Sequence, residues 1–399
     1  MNRYLAVMLT GFNVLLVSGG SRFAIGLTLK PMAIDFDWSR STISLAVFVS
    51  LVVSSTCMYL SGRLADRFNL THVLAAGLLI SAAGIGLISY TSLPWLAFVL
   101  YGIIFAFGNG LTSLTPVGVL ITRWFPDRIG LANAAAISGM GFGQLLMIAF
   151  LAVILVQSGW RPVYLWLGFA NLMLVPFVLL VVRQWAGKEN NPSKSTPSRV
   201  DGVDFATARK TPYFKRLIII YMICGFQDFF VATHIVAYSL DQGIDTLWAG
   251  NILAVMGLMS VIGVILTGIW SDKSGPLMPT IVCFVIRIVL FTLILIQQDK
   301  LTITLFALGY GLTFLATAPL NVVFIRQAFG SFNLGTTTGF VSMAHQMAGG
   351  LGAFTGGVIF DQTGGYGAAF IFMLGLSLAG AFYTWTLVRP PENHMNARS

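Results

Sequence analysis

Residues 62–68 read "GRLADRF", and residues 268–275 read "GIWSDKSG". Each stretch follows a long apolar run, and the two match in register. Gly62 recurs as Gly268 and Asp66 as Asp272, both 206 positions further on. At the same offset "FDWSRSTIS" (36–44) lies opposite "QGIDTLWAG" (242–250). A register held through two successive loops is the mark of an internal duplication. In membrane chains it points to parallel repeats related by an axis along the membrane normal.

Composition supports a membrane chain. The 399 residues are 56% hydrophobic and only 9% charged, with a mean hydropathy of +0.84, whereas a soluble domain carries about 25% charged residues. Apolar runs of about 20 residues, long enough to cross a bilayer core, recur from end to end. Twelve spans are predicted: 4–29, 41–63, 71–91, 94–122, 129–157, 162–183, 214–240, 246–270, 277–297, 301–325, 334–360 and 366–388. The expected fold class is an all-α membrane protein of twelve transmembrane helices in two pseudo-symmetric six-helix bundles. The first span lacks a small-residue cleavage signature and reads as retained rather than as a removed signal peptide.

Basic residues set the orientation, because cytoplasmic loops hold an excess of Lys and Arg. With the N-terminus inside, only Lys30, Arg40, Arg161 and Lys300 of the 23 basic residues fall outside, and Arg22 and Arg287 fall within spans. Both termini are therefore expected in the cytoplasm, in a multi-pass cell-membrane protein of the bacterial inner-membrane type. The net charge of +9 then reflects topology and needs no nucleic-acid partner. The polar stretch 185–212, rich in Pro, Ser, Asn and Lys, reads as a cytoplasmic linker between bundles 1–184 and 213–399. Within it, "VDFATARK" suits one or two amphipathic turns on the membrane surface.

Several chemistries are excluded. No phosphate-cradling G-x-x-x-x-G-K-[ST] loop occurs. The three cysteines, Cys57, Cys224 and Cys283, lie in apolar spans at no metal-like spacing and read as buried small hydrophobes. Four histidines assemble into neither a metal set nor a Ser–His–Asp constellation. Neither an enzyme, a cofactor nor a metal is expected.

The G-R-L-A-D-R sequence, in the loop after span two of a six-plus-six protein, resembles the signature loop of the major facilitator superfamily. The resemblance implies that Gly62, Arg63, Asp66 and Arg67, with the weaker copy Gly268, Asp272 and Lys273, gate the cytoplasmic ends of the helices. "FDWSRSTIS", "RWFPDRIGLANAAAISGMGFG" (123–143) and "HQMAGGLGAFTGGVIFDQTGGYG" (345–367) are similar to bacterial relatives of the monocarboxylate porters. That resemblance implies transport of small organic anions, often with protons. One departure stands out: the animal porters keep an Asp and an Arg in the eighth span, yet 246–270 holds no ionisable residue here.

The charges within spans carry the functional reading. Arg22 lies well inside span one, where a cation costs roughly 2.5–3.5 kcal/mol on insertion scales. The repeat offset carries Arg22 onto Asp228 of span seven, the equivalent helix. Arg22 is thus expected to hold a substrate carboxylate in a bidentate fork, with Asp228 its counter-charge in another state. Asp228 is also the expected proton-coupling group, since burial favours the neutral acid and a nearby cation the carboxylate. A static ion pair is the alternative, and one residue of slippage would turn the helix by about 100°.

His234, six residues after Asp228, suits either a proton relay or an interhelical bond. His345 and Gln346 of span eleven sit before a glycine-rich stretch that invites close packing, which favours a structural role. Arg287, midway along span nine, is a substrate ligand if it reaches inward, and otherwise a structural contact or a snorkelling cation. Asn109, Thr112 and Ser113 of span four can bond a hydroxy or keto group or satisfy helix contacts. Arg123 and Arg326 read as interface anchors.

The expected function is a monomeric secondary transporter in the lipid bilayer, moving a small organic anion, monocarboxylate-like, with protons by symport. A proton-driven exporter of an amphipathic metabolite or drug is the alternative, suited by 31 phenylalanines. A transporter-like sensor is disfavoured by the short polar segments.

Overall fold

A computed structural model of the chain describes residues 3–67, 69–125, 129–186, 202–330 and 333–387. The first half contains α1 (Arg3–Phe36), α2 (Arg40–Arg67), α3 (Leu70–Gly86), α4 (Pro94–Val99), α5 (Ala106–Leu111), α6 (Leu114–Trp124), α7 (Ile129–Ser158) and α8 (Trp160–Ala186). A one-turn helix, α9 (Phe205–Ala208), precedes the second half. That half contains α10 (Pro212–Asp241), α11 (Thr246–Ser274), α12 (Leu277–Ile296), α13 (Lys300–Phe314), α14 (Thr317–Phe329), α15 (Leu334–Thr363) and α16 (Gly367–Trp385). Eleven helical stretches are long and apolar enough to cross a membrane. The twelfth, α15, has 30 residues and therefore about 45 Å of length, but its Gly, Thr, His and Gln content makes it less apolar. It packs between the two halves, against α10 of one and α2 of the other.

Two predicted spans are interrupted. Predicted span 94–122 contains a π-helical turn at Leu100–Phe105 and breaks at Thr112–Ser113, where Ser113 turns extended. Predicted span 301–325 breaks at Leu315–Ala316. The cause is the same in both halves. Pro116 and Pro319 lack an N–H, and their rings crowd the carbonyl four residues earlier, which is that of Thr112 and of Leu315. The first helix also runs seven residues beyond its predicted end, through Lys30 and Pro31, because Lys30 finds a partner there in Asp241. The linker's amphipathic turn forms as α9, but it docks onto protein: Val203 N donates to the Phe329 carbonyl at 2.9 Å, and Phe205 packs on Phe214 and Phe340.

The hydrophobic cores reveal the state of the bundle. One core joins both halves, with Leu27, Tyr101 and Leu151 beside Ala232, Leu253 and Phe370. Two others stay within single halves. Val14, Leu74, Ile121 and Val178 form one, and Phe214, Leu320, Phe329 and Leu387 the other. The shared core occupies the end away from the chain termini, and the separate cores the end that carries them. Among the described residues the halves therefore share a core at one face and keep separate cores at the other. Gly268, Gly335 and Gly339, on the side of the separate cores, have open space around them.

Close approach of two backbones positions the centre. A Cβ on Gly225 would run into the carbonyl of His345, and one on Gly352 into that of Phe226. Only glycine lets α10 and α15 meet this closely, and that contact delivers His345 to Asp228.

Candidate functional site

Arg22 sits midway along α1, in a cleft between the halves lined by Ser50, Ser54, Tyr101, Phe105, Asn109, Phe229 and Thr233. Its Nη2 donates to Gln346 Oε1 of α15 at 2.7 Å, and its Cζ lies 4.7 Å from the centroid of the Phe229 ring. A cation over a ring face is attracted by the quadrupole, but no carboxylate among the described residues pairs with it. Its Nε is buried and has no acceptor. The cleft is collapsed around the guanidinium: its free volume of about 10 Å³ is room for about one water.

The π-helical turn carries Tyr101 and Phe105 into the cleft wall. Wide turns of this kind recur at functional sites because they re-aim side chains. Asn109 lines the cleft and donates to Ser18 Oγ at 2.8 Å. Thr112 returns its hydroxyl to the Gly108 and Asn109 carbonyls, each at 3.3 Å, so it serves the helix break and not the cleft. Ser113 Oγ is buried without a partner.

Asp228 does not meet Arg22. Its Oδ1 accepts from Arg287 Nη2 at 2.7 Å and from Tyr310 OH at 3.1 Å, while its Oδ2 lies 3.4 Å from His345 Nε2. Cys224 Sγ lies 3.6 Å from the same oxygen and 3.1 Å from Thr317 Oγ1. The offset of 206 preserves depth but not rotation. Phe229 takes the place opposite Arg22, and Asp228 turns toward α12, α13 and α15. The expected Arg22–Asp228 pair is therefore replaced in this state by Arg287–Asp228.

Arg287 reaches inward and is 0% exposed, which rules out snorkelling in this state. Its Nε donates to Thr313 Oγ1 at 3.0 Å, Nη1 to Gln227 Oε1 at 3.2 Å, and Nη2 also to the Thr313 carbonyl at 2.9 Å. With four N–H groups given to protein acceptors, it is a structural cation here and not an open ligand.

Cys224, Asp228 and His345 bring three donor atoms within 4.8 Å of one another, so Cys224 is more than the small hydrophobe expected. The Arg287 guanidinium already balances the single carboxylate of this set, which disfavours a divalent cation there. His345 was expected in a structural role; it lies instead against the buried acid.

A second network seals the face away from the termini. Asp241, at the end of α10, receives both Nη atoms of Arg40, at 2.5 and 2.8 Å, and Lys30 Nζ at 2.8 Å. Asp361, near the end of α15, accepts the backbone N–H of Arg40 and Ser41 at 3.1 and 2.8 Å, capping α2 across the interface. Arg40 lies 3.6 Å over the Phe360 ring and donates to Tyr366 OH at 3.0 Å. His234 belongs to this network: Nδ1 lies 3.0 Å from Tyr366 OH and Nε2 2.7 Å from the Ala353 carbonyl. It is an interhelical link and makes no contact with Asp228. In the sequence Arg40 and Lys30 stand out only as topological charges; the "FDWSRSTIS" and "VIFDQTGGYG" motifs are the available signal for this seal.

At the opposite face, Asp272 and Lys273 are exposed and form no ion pair with another described residue. The helical backbone of 62–67 is described, but the side chains of Arg63, Asp66 and Arg67 lie outside the described set, as do that of Arg123 and the linker residues 187–201. Arg326 is exposed in the last turn of α14, as suits an anchor.

Comparison with known proteins agrees with this architecture. The sequence model of the Major Facilitator Superfamily matches residues 11–318 and 217–399. YcxA of Bacillus subtilis, an MFS-type transporter, is 26% identical over 364 residues, covering 86% of this chain and 87% of its own. Monocarboxylate transporter 13 of Rattus norvegicus is 25% identical, covering 96% and 88%. Among solved structures, a variant of the nucleoside transporter NupG superposes with a TM-score of 0.76 at 16% identity, covering 97% of this chain and all of its own. The xylose transporter XylE from E. coli, in a partially occluded inward open conformation, gives 0.69 at 17% identity, covering 97% and 100%. These relatives are transporters, not enzymes. With the match running through both halves, this multi-pass membrane chain belongs to the major facilitator superfamily of small-molecule transporters.

Proposed function

We propose that the chain is a secondary transporter that moves a small, monocarboxylate-like organic anion by alternating access, with protons as the coupling ion. The observation that carries this reading is Arg22: a cation between the two halves, with no carboxylate partner among the described residues and a buried Nε that has no acceptor. A carboxylate laid across Nε and Nη2 would satisfy both donors at once. Asn109 and the hydroxyls of Ser50 and Ser54 supply polar groups for a hydroxy or keto substituent. Two relatives named as monocarboxylate transporters, at 25% and 24% identity, support the anion class.

Asp228 carries the proton. It bonds to Arg287 and Tyr310 and lies against His345, beside the anion site without belonging to it. Bundles 1–184 and 213–399 rock about this centre, with 185–212 as tether. Arg40, Lys30, Asp241 and Asp361 form one gate; Gly62, Arg63, Asp66 and Arg67, with Gly268, Asp272 and Lys273, form the other. Under the positive-inside rule both termini are cytoplasmic, the sealed face is external, and this state faces inward. The protein acts as a monomer in a bacterial inner membrane.

The test is thermal stabilisation of the purified protein by acetate, benzoate, pyruvate, succinate and citrate, with Arg22→Gln in parallel. One carboxylate class should stabilise the wild type and not the variant. A ligand at 100 times its Kd adds about 2.7 kcal/mol if it binds only the folded state. Phe23, Phe105, Phe229 and Tyr101 around the cleft favour one second reading, export of an amphiphile. Stabilisation of both proteins by neutral amphiphiles alone would replace the first reading with that one.

A further inference from the structure

Gln346 and His345 are neighbours on α15, yet they serve opposite halves. A helix turns by about 100° per residue, so consecutive side chains face different partners. Gln346 Oε1 accepts from Arg22 of α1, while His345 Nε2 reaches Asp228 of α10. α15 is also locked at backbone level to both sides: Gly225 and Gly352 seat it on α10, and a Cβ on Gly350 would strike Phe48 of α2. Gln346 Nε2 meets Met58 Sδ at 3.6 Å, a weak acceptor, so the carbonyl end of this amide makes its strong bond.

We propose that Gln346 is a tethered stand-in for the transported carboxylate: its side-chain oxygen occupies Arg22 Nη2 in the empty carrier, and the anion displaces it. This deepens the reading of Arg22 as the anion site and rests on it. An amide oxygen is a neutral acceptor and fills one donor of the fork. A carboxylate is charged, fills Nε and Nη2 together, and wins the exchange. The stand-in keeps a lone cation satisfied while the cleft is empty. Its displacement frees α15 one residue from His345, so arrival of the anion is felt at Asp228. A glutamate at this position would be a permanent counter-ion and would exclude the substrate. That is a physical reason for an amide there.

The experiment uses the purified full chain in detergent, with Gln346→Leu, Gln346→Glu, Arg22→Gln and the Arg22→Gln/Gln346→Glu double variant. Benzoate is the probe, followed by its thermal stabilisation of each protein. Removal of the competing amide in Gln346→Leu should tighten benzoate by about tenfold, and Gln346→Glu should abolish its binding. A ligand-free arm accompanies it: Gln346→Glu should raise the melting temperature at neutral pH only where Arg22 is present. Benzoate affinity unchanged in Gln346→Leu, or a melting temperature in Gln346→Glu that does not depend on Arg22, overturns the stand-in. Undiminished benzoate binding in Arg22→Gln instead removes the anion-site reading beneath it. If benzoate stabilises none of the proteins, the ligand-free arm alone decides.

Discussion

Replacing Arg287 with leucine would leave Asp228 without the cation that lies 2.7 Å from its Oδ1. Both groups are out of solvent, at 0% and 2% side-chain exposure, so no water replaces the lost partner. The acid would retain Tyr310 OH at 3.1 Å and His345 at 3.4 Å, both longer contacts than the one it loses. Breaking a buried pair from one side costs about 3–5 kcal/mol, or roughly 150- to 4,000-fold in the folded-to-unfolded ratio. Asp228→Asn strands less. Arg287 keeps Thr313 Oγ1, the Thr313 carbonyl and Gln227 Oε1, and the amide oxygen still accepts. The double variant Arg287→Leu/Asp228→Leu removes both charges and their desolvation cost, and should lie about 2 kcal/mol or more above the Arg287→Leu single. Reversible SDS titration in mixed micelles, followed by circular dichroism, measures all four proteins. An Arg287→Leu variant within about 0.5 kcal/mol of wild type, or a double variant no more stable than the worse single, would refute the buried-pair argument.

Other expectations follow from the same geometry. In proteoliposomes, Asp228→Asn should abolish proton-driven uptake while sparing anion exchange; undiminished proton-driven uptake removes Asp228 as the coupling group. Asp241→Asn loosens the grip of Arg40 and Lys30, so spin labels at Ser39 and Gln362 should report a longer, broader distance distribution; an unaltered distribution would mean that the apolar core alone holds that face shut. Gly352→Leu forces α15 off α10 and should destabilise by about 1–3 kcal/mol or more, read as a lower melting temperature. Gly268→Ala meets open space and should leave stability within about 1 kcal/mol yet slow transport, because the gating reading has this glycine closing against the other half. Wild-type transport rates in that variant would argue against such a closure.

Much of this protein is legible in one dimension. Apolar length, basic-residue asymmetry and a repeat at an offset of 206 are properties of the chain alone, and they carry the membrane class, the spans and the duplication. Arg22 stands out for the same reason: a cation in an apolar run is costly wherever the run goes. The helix breaks were also within reach, since Pro116 and Pro319 sit in predicted spans, but a composition window averages over single prolines. The partner of Asp228 was decided only in three dimensions. A repeat offset fixes how deep a residue lies, whereas one residue of rotation sends a side chain to a different neighbour. Thus Phe229 faces Arg22, and Asp228 faces Arg287, which lies 59 positions away in the chain. His345 and Gln346 acquire their roles in the same way, from the azimuth of α15 between two halves that touch through glycine. The seal at the face away from the termini needs Arg40, Asp241 and Asp361 from three helices, and no periodicity within any one of them records that meeting.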